Sequence, residues 1–298
     1  MGRQLETWEE MERSLIKQYR KRLWNPFIYG VKRYELIQFG DRIAVCISGG
    51  KDSFMMAKLI QELQRHSDVP FDVLYLVMDP GYNAVNRRKI EENAALLHIP
   101  VTIFESDIFS VANASEKNPC YLCARMRRGT LYKKALELGC NKIALGHHFN
   151  DVIETTVLGM FYGSQLQGMM PKLHSTNFPG MELIRPLYCV HEDDIIAWGR
   201  HWGLEFLQCA CRFTEQSERA ANSGQNVETS KRREIKTLLR RLKATNPNIE
   251  KSVFQSIHNL SLDTFPAYKT KGIEYSFLET YDDPCNPCDS CDPCDSCD

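Results

Sequence analysis

No apolar run in this 298-residue chain approaches the roughly 20 residues that a membrane-spanning helix needs. The opening stretch, MGRQLETWEEMERSL, has no apolar core of the kind that marks a signal peptide. Position 6 is Glu, where a myristoylation signal beginning Met-Gly carries Ser or Thr. These absences make a cytoplasmic location the expectation. The G-x-x-x-x-G-K-[ST] phosphate-binding pattern is also missing, so any nucleotide loop must be of another kind. Basic residues are absent from the last seventeen positions, which hold six acids (Asp282, Asp283, Asp289, Asp292, Asp295 and Asp298).

Cysteine is plentiful, at twelve. In a cytoplasmic chain that argues for metal or redox chemistry rather than structural disulfides. Cys46, Cys140 and Cys189 sit singly in strand or helix patterns and read as buried apolar fillers. Cys120 and Cys123 form a C-x-x-C, Cys209 and Cys211 a C-x-C, and five more recur every third residue from Cys285 to Cys297. The net charge of −1 hides a segregation. Without the tail acids, 37 Lys and Arg stand against 32 acids, a formal +5. The excess is clustered at Lys17-Arg22, Arg125-Arg128, Lys133-Lys134, Lys231-Arg233 and Arg240-Lys243, which suits a polyanion such as RNA.

The middle of the chain alternates strand and helix. Strand patterns occur at 42–48, 72–79, 100–104, 142–146 and 183–187, with helical patterns at 53–65, 85–98, 121–138, 151–161 and 192–203. Short apolar strands joined by helices predict an α/β fold: a parallel, Rossmann-like sheet with helices on both faces and ligands beyond the strands' carboxyl ends. Residues 1–30 read as a helical segment broken at Trp24-Asn25-Pro26, and 31–212 as the catalytic domain. Strand signals stop after about residue 212, so 213–281 reads as a small helical C-terminal region, with helices at 229–244 and 247–261. Residues 282–298 form a Cys/Asp-rich low-complexity tail, expected to lack order unless it holds a soft metal.

Ser48-Gly49-Gly50-Lys51-Asp52-Ser53 stands between the first strand and the helix that follows. A glycine pair there bares backbone N–H groups at a helix start and admits an anion closely, and the two serines add hydroxyl donors. The segment resembles the PP-loop, SGG-x-DS, of the ATP pyrophosphatases, which cleave ATP to AMP and pyrophosphate. Asp79 ends the second strand, and Gly146-His147-His148-Phe149-Asn150-Asp151 follows the fourth. Successive strand residues point to opposite faces, so the two histidines do not readily share one ion, and a core histidine with a helix cap is the plain alternative. Cys120 and Cys123 open a helix rich in arginine, where thiolates are favoured; zinc, a redox dithiol and an iron–sulfur cluster all use such a pair.

The order of these motifs, with FYGSQLQGMMPKL, IRPL and a cysteine near 210 following, resembles the tRNA 2-thiocytidine synthetases, the iron–sulfur branch of the PP-loop tRNA thiolases. The likeness runs from about residue 35 to 215. No cysteine pair precedes Cys46, where zinc fingers would flank the thiouridine branch. The resemblance implies an adenine nucleotide alpha hydrolase-like fold and a [4Fe–4S] cluster held by three cysteines: Cys120, Cys123 and Cys211, with Cys209 as alternate. It implies ATP held by Ser48, Gly49, Gly50, Lys51, Asp52 and Ser53, with Asp79, Gly146, His147 and Asp151 in the ATP and substrate pocket. Asp52 is the expected Mg²⁺ and pyrophosphate ligand. The implied reaction adenylates the C2 oxygen of a tRNA cytidine, by analogy cytidine 32, and replaces it with sulfur from sulfide or a cysteine desulfurase. A cytosine must be unstacked to expose C2, which points to a loop. The alternatives are a thiouridine synthetase, an amine-transferring PP-loop ligase and a non-enzymatic nucleotide-binding iron–sulfur sensor or carrier; one chain or a homodimer is open.

Overall fold

The structure, a computed structural model, describes residues 5–106, 108, 119–207 and 231–282, with the side chains of 119–124 outside the description. It comprises two compact units, residues 1–250 and 251–298. In the first, β1 (Arg42–Ile47), β2 (Asp72–Asp79), β3 (Val101–Glu105), β4 (Lys142–Ala144), β5 (Lys172–His174) and β6 (Glu182–Ile184) form one sheet in the order β3-β2-β1-β4-β6-β5. All neighbours are parallel except β5, which runs antiparallel along β6.

Side chains alternate along β1 as a pleated strand requires. Ile43, Val45 and Ile47 face a core shared with α1 (Thr7–Ile16), α2 (Asn25–Arg33), α3 (Lys51–His66), α4 (Ala84–Leu96) and α7 (Glu192–His201). Ala44 and Cys46 face the opposite core, with Tyr132 and Ala135 of α5 (Pro119–Glu137). Helices therefore cover both faces, as the alternating pattern predicts. Among the described residues, this unit also carries α6 (Phe149–Tyr162) and α8 (Lys231–Thr245), which pack on one another. The fold class read from the sequence stands.

Three expectations need correction. Trp24-Asn25-Pro26 does not break the chain: a π-helical turn, Arg20–Trp24, runs directly into α2, where Pro26 occupies the first turn and needs no amide partner. The stretch 163–173, for which the sequence gives no strand pattern, ends in the edge strand β5. The C-terminal region is not purely helical. The second unit carries β7 (Ala267–Thr270) and β8 (Ile273–Ser276), an antiparallel hairpin with Tyr268 stacked on Tyr275 at 5.2 Å and Lys269 paired to Glu274 at 2.9 Å. The last helix, α9 (Ile249–Ser256), is shorter than the pattern at 247–261 suggested. The cysteine-rich tail from Cys285 lies outside the described residues.

Two buried lysines fasten this architecture. Lys58 on α3 is fully buried and donates to Glu12 of α1 (2.5 Å), the Gln61 side chain and the Leu97 carbonyl (both 2.8 Å). Lys142, at the start of β4, reaches Asp41 (2.8 Å), Glu182 (3.1 Å) and the Leu36 carbonyl (3.0 Å) beneath the amino ends of β1, β4 and β6. A buried cation tolerates such a place only when surrounded by acceptors. No helix among the described residues is long and apolar enough to cross a membrane.

Candidate active site

The sheet order reverses at β1: the chain moves outward to β2 on one side and returns to β4 on the other. In a doubly wound sheet the crevice at such a point receives the ligand. Here it lies between the loop after β1 and the loop after β4. Gly49 has φ +86°, a backbone that side chains disfavour, and a Cβ there would meet Leu207 Cδ1 at 2.8 Å and Ile90 Cγ1 at 2.9 Å. The Gly49 carbonyl accepts from the Leu207 amide at 3.0 Å. Ser53 Oγ accepts from the Ser48 amide (3.2 Å) and donates to the Gly50 carbonyl (2.8 Å), which closes the loop on itself. Gly50 is the N-cap of α3, and the first amide to bond back along the helix is that of Phe54. The preceding first-turn amides form an anion-binding end.

Gly146 is the other close approach. A Cβ there would stand 3.1 Å from Asp52 C and Ser53 N and 3.2 Å from Asp52 O, all backbone atoms. The two loops touch because this residue has no side chain. Between them and the α5 helix lies a cavity of about 460 Å³. Ser48, Gly50, Asp52, Ser53, Gly146, His147 and Asp151 line it. Arg127, Arg128 and Arg232 add three guanidinium groups to its wall. The first two come from the α5 turn directly following Cys120 and Cys123; Arg232 comes from α8.

Asp52 holds the most telling atom. Its Oδ2 accepts from Lys51 Nζ at 3.0 Å, whereas Oδ1 is buried without a hydrogen-bond partner. His148 Nε2 stands 3.7 Å from Oδ1. A buried carboxylate oxygen left unpaired is costly and calls for a cation or donor that arrives with a ligand. No group of three His, Cys, Asp or Glu side chains converges as a metal cage among the described residues. Mg²⁺ needs none, since it takes one or two carboxylates together with substrate phosphates. Asp52 fits that role.

The two histidines, in the loop after β4, take different places. His147 lines the cavity with Nδ1 buried and unpartnered. Burial, reinforced by Arg185 and Arg232, pushes its pKa down to about 4, so the ring is neutral near pH 7. His148 caps α6, accepting from the Asp151 amide at 3.3 Å, while its own amide donates to Asp151 Oδ2 at 3.0 Å. Asp151 Oδ1 pairs with Arg232 at 3.0 Å, and Arg232 also reaches Glu154 at 3.2 Å.

Three expected residues stand off the cavity wall. Gly49 shapes the loop from behind. Lys51 points to Asp52 and to Glu192 of α7, both at 3.0 Å. Asp79 accepts from the Gly81 and Tyr82 amides (2.9 and 2.7 Å) and from Arg87 (2.7 Å). Desolvation opposes its charge, but those three donors hold the carboxyl below its usual range. Its carboxylate builds a turn; the neighbouring Met78 meets the cavity instead. Cys120 and Cys123 lie three residues apart in the first turn of α5, hence on one helix face. Paired thiols at this spacing are the donor type an iron–sulfur cluster takes; Cys209 and Cys211 lie outside the described residues. Cys46 lines the cavity with its thiol raised to about 12 by burial, which leaves it inert.

Sequence reasoning noted the basic clusters at 125–128 and 231–233 but not their place here. The four-residue step from Cys123 to Arg127 along one helix was a usable signal. Glu192 was missed altogether. It bridges Lys51 and Lys236 of α8, the latter at 2.6 Å. Burial would raise its carboxyl, yet the two lysines outweigh that and hold it at about 2.

A PP-loop domain model matches residues 19–221. A tRNA-cytidine(32) 2-sulfurtransferase of Vibrio parahaemolyticus is 34% identical over 252 residues, covering 83% of this chain and 79% of that protein. The chain belongs to this family of PP-loop proteins. A Geobacter metallireducens relative of the same name is 32% identical, covering 82% of this chain and 91% of its own length. Among solved structures, a U34-tRNA thiolase of Methanococcus maripaludis, determined with its [4Fe–4S] cluster, superposes with a TM-score of 0.61. It is 19% identical, and the match covers 79% of this chain and 77% of that one, a likeness of fold.

Proposed function

We propose that this protein is the ATP-dependent enzyme that 2-thiolates cytidine 32 of tRNA, in the cytoplasm. The observation that carries the reading is the unpaired Asp52 Oδ1 in a cavity walled by the PP-loop on one side and by Arg127 and Arg128 on the other. The cavity suits a polyphosphate: helix-end amides and Ser48 on one wall, guanidinium groups opposite, and a carboxylate oxygen waiting for Mg²⁺. Membership of the sulfurtransferase family supports tRNA as the second substrate.

Cytosine's C2 oxygen is a very poor leaving group. In the first step that oxygen attacks the α-phosphorus of ATP, the α–β P–O bond breaks and pyrophosphate departs. Arg127, Arg128 and the α3 amides offset the charge that develops on the departing group. A sulfur nucleophile then attacks C2, the C2–O bond breaks and AMP leaves. A [4Fe–4S] cluster held by Cys120, Cys123 and Cys211 or Cys209 would supply sulfur at an iron that no cysteine occupies. Neutral His147 meets the substrate as a hydrogen-bonding partner without adding a positive charge.

The test uses protein purified anaerobically and reconstituted with iron and sulfide, then incubated with unmodified tRNA, Mg²⁺-ATP and sulfide. Digested tRNA is searched for 2-thiocytidine by mass spectrometry. The expected product is lost in Asp52→Ala and in Cys120→Ala, with Cys120→Ala retaining ATP binding. Thiouridine, or no thiolated nucleoside, would overturn the reading.

A further inference from the structure

We infer that Glu192 is a positioning residue that leaves the Asp52 carboxylate available to a divalent cation by sharing the Lys51 ammonium with it. The inference rests on the reading of Asp52 as the carboxylate that meets the cation of the ATP complex.

Four charges stand in a row across three helices. Lys236 Nζ on α8 lies 2.6 Å from Glu192 Oε2; Glu192 Oε1 lies 3.0 Å from Lys51 Nζ; Lys51 Nζ lies 3.0 Å from Asp52 Oδ2. His148 Nε2 approaches both carboxylates, at 3.7 Å from Asp52 and 4.0 Å from Glu192. Glu192 has 9% of its side chain exposed, so its interactions are little screened. Its backbone amide is satisfied by Asn150 Oδ1 at 3.0 Å, which separates the side chain's role from the helix start it occupies.

An ammonium at 3.0 Å competes with any metal ion for the charge of the Asp52 carboxylate. Glu192 shares that ammonium. Removing the Glu192 charge gives Lys51 wholly to Asp52 and weakens the cation site. Removing Lys236 gives Glu192 wholly to Lys51 and strengthens the site. The two changes act with opposite signs, which loss of packing does not produce.

The experiment measures binding of Mn²⁺, by the decrease of its free electron paramagnetic resonance signal, to full-length protein with α,β-methylene-ATP and without tRNA. Glu192→Gln is expected to bind Mn²⁺ about tenfold more weakly, and Lys236→Met about threefold more tightly, the scale of coupling between contacting charges. In a Lys51→Met background, Glu192→Gln should change nothing further. Wild-type affinity in Glu192→Gln, alongside lost binding in Asp52→Asn, would overturn the inference and leave the Asp52 reading standing. Wild-type affinity in Asp52→Asn would overturn that reading and the inference with it. A loss in Glu192→Gln that persists undiminished in the Lys51→Met background would show that Glu192 acts by another route. Should Glu192→Gln fold poorly, Lys236→Met carries the test, and weaker binding there would refute the idea.

Discussion

Gly146→Ala is the sharpest perturbation of the site, because it adds one methyl group and no charge. The new Cβ would sit 3.1 Å from two α3 backbone atoms and 3.2 Å from a third, where carbon contacts settle at roughly 3.5–4.0 Å. Relief requires the two loops to part by about half an ångström, since no flexible side chain can give way. Overpacking of this kind costs about 1–3 kcal/mol. For a domain of this size that lowers the melting temperature by about 2–12 °C. Function should suffer more, because the atoms displaced belong to Asp52 and Ser53. A misplacement of 1 Å in a catalytic array costs on the order of a hundredfold, so half that distance predicts about tenfold in pyrophosphate release. The assay is tRNA-dependent pyrophosphate release, read beside calorimetric melting. A Gly146→Ala protein with wild-type turnover would refute the claim that contact between these loops sets the site.

Glu12→Ala removes the carboxylate nearest buried Lys58 and should cost about 3–5 kcal/mol in denaturant unfolding; Glu12→Gln paired with Lys58→Met should recover much of that. His147 titrates near 4 when folded and near its usual 6.5 when unfolded, so the unfolded chain binds the extra proton first. Stability should therefore fall as pH drops from about 6.5 through 4, by about 3 kcal/mol at most, and His147→Gln should flatten that slope in melting curves taken across the range. Glu192 follows the depressed-carboxylate sign: the stability it contributes is present above its unfolded value and lost as pH falls toward 2. Glu192→Gln should therefore reduce acid sensitivity below about pH 4.5 in the same measurement.

The parts of this molecule that were legible in the sequence are those written in contiguous residues. Ser48 through Ser53 occupy six adjacent positions between an apolar strand and a helix, and their arrangement depends on little else. Strands β1 and β2 are buried on both faces and announce themselves as apolar runs. The edge strand β5 has three residues with exposed positions, and its identity comes from pairing with β6. The β7–β8 hairpin is similarly hidden, since neither strand has a buried face to pattern. Arg232 meets Asp151 from 81 positions away, and Lys236 meets Glu192 from 44. Nothing local distinguishes those side chains from a solvated basic helix face. Asp79 is ambiguous for the opposite reason: an acid at the carboxyl end of a strand looks the same whether it greets a ligand or closes a turn.

Lys142 bears on how the length of this chain can vary. It ties together the amino ends of three neighbouring strands, so the heights at which the Ser48 and Gly146 loops emerge are counted upward from one common anchor. A single residue inserted into β1 or β4 would lift one loop by about 3.3 Å relative to the other and turn every following side chain to the wrong face. Insertions and deletions should therefore be tolerated in the connector between β5 and β6, which is not counted from that anchor. Libraries built on this scaffold should hold the spans from Asp41 to Asp52 and from Lys142 to Asp151 at constant length.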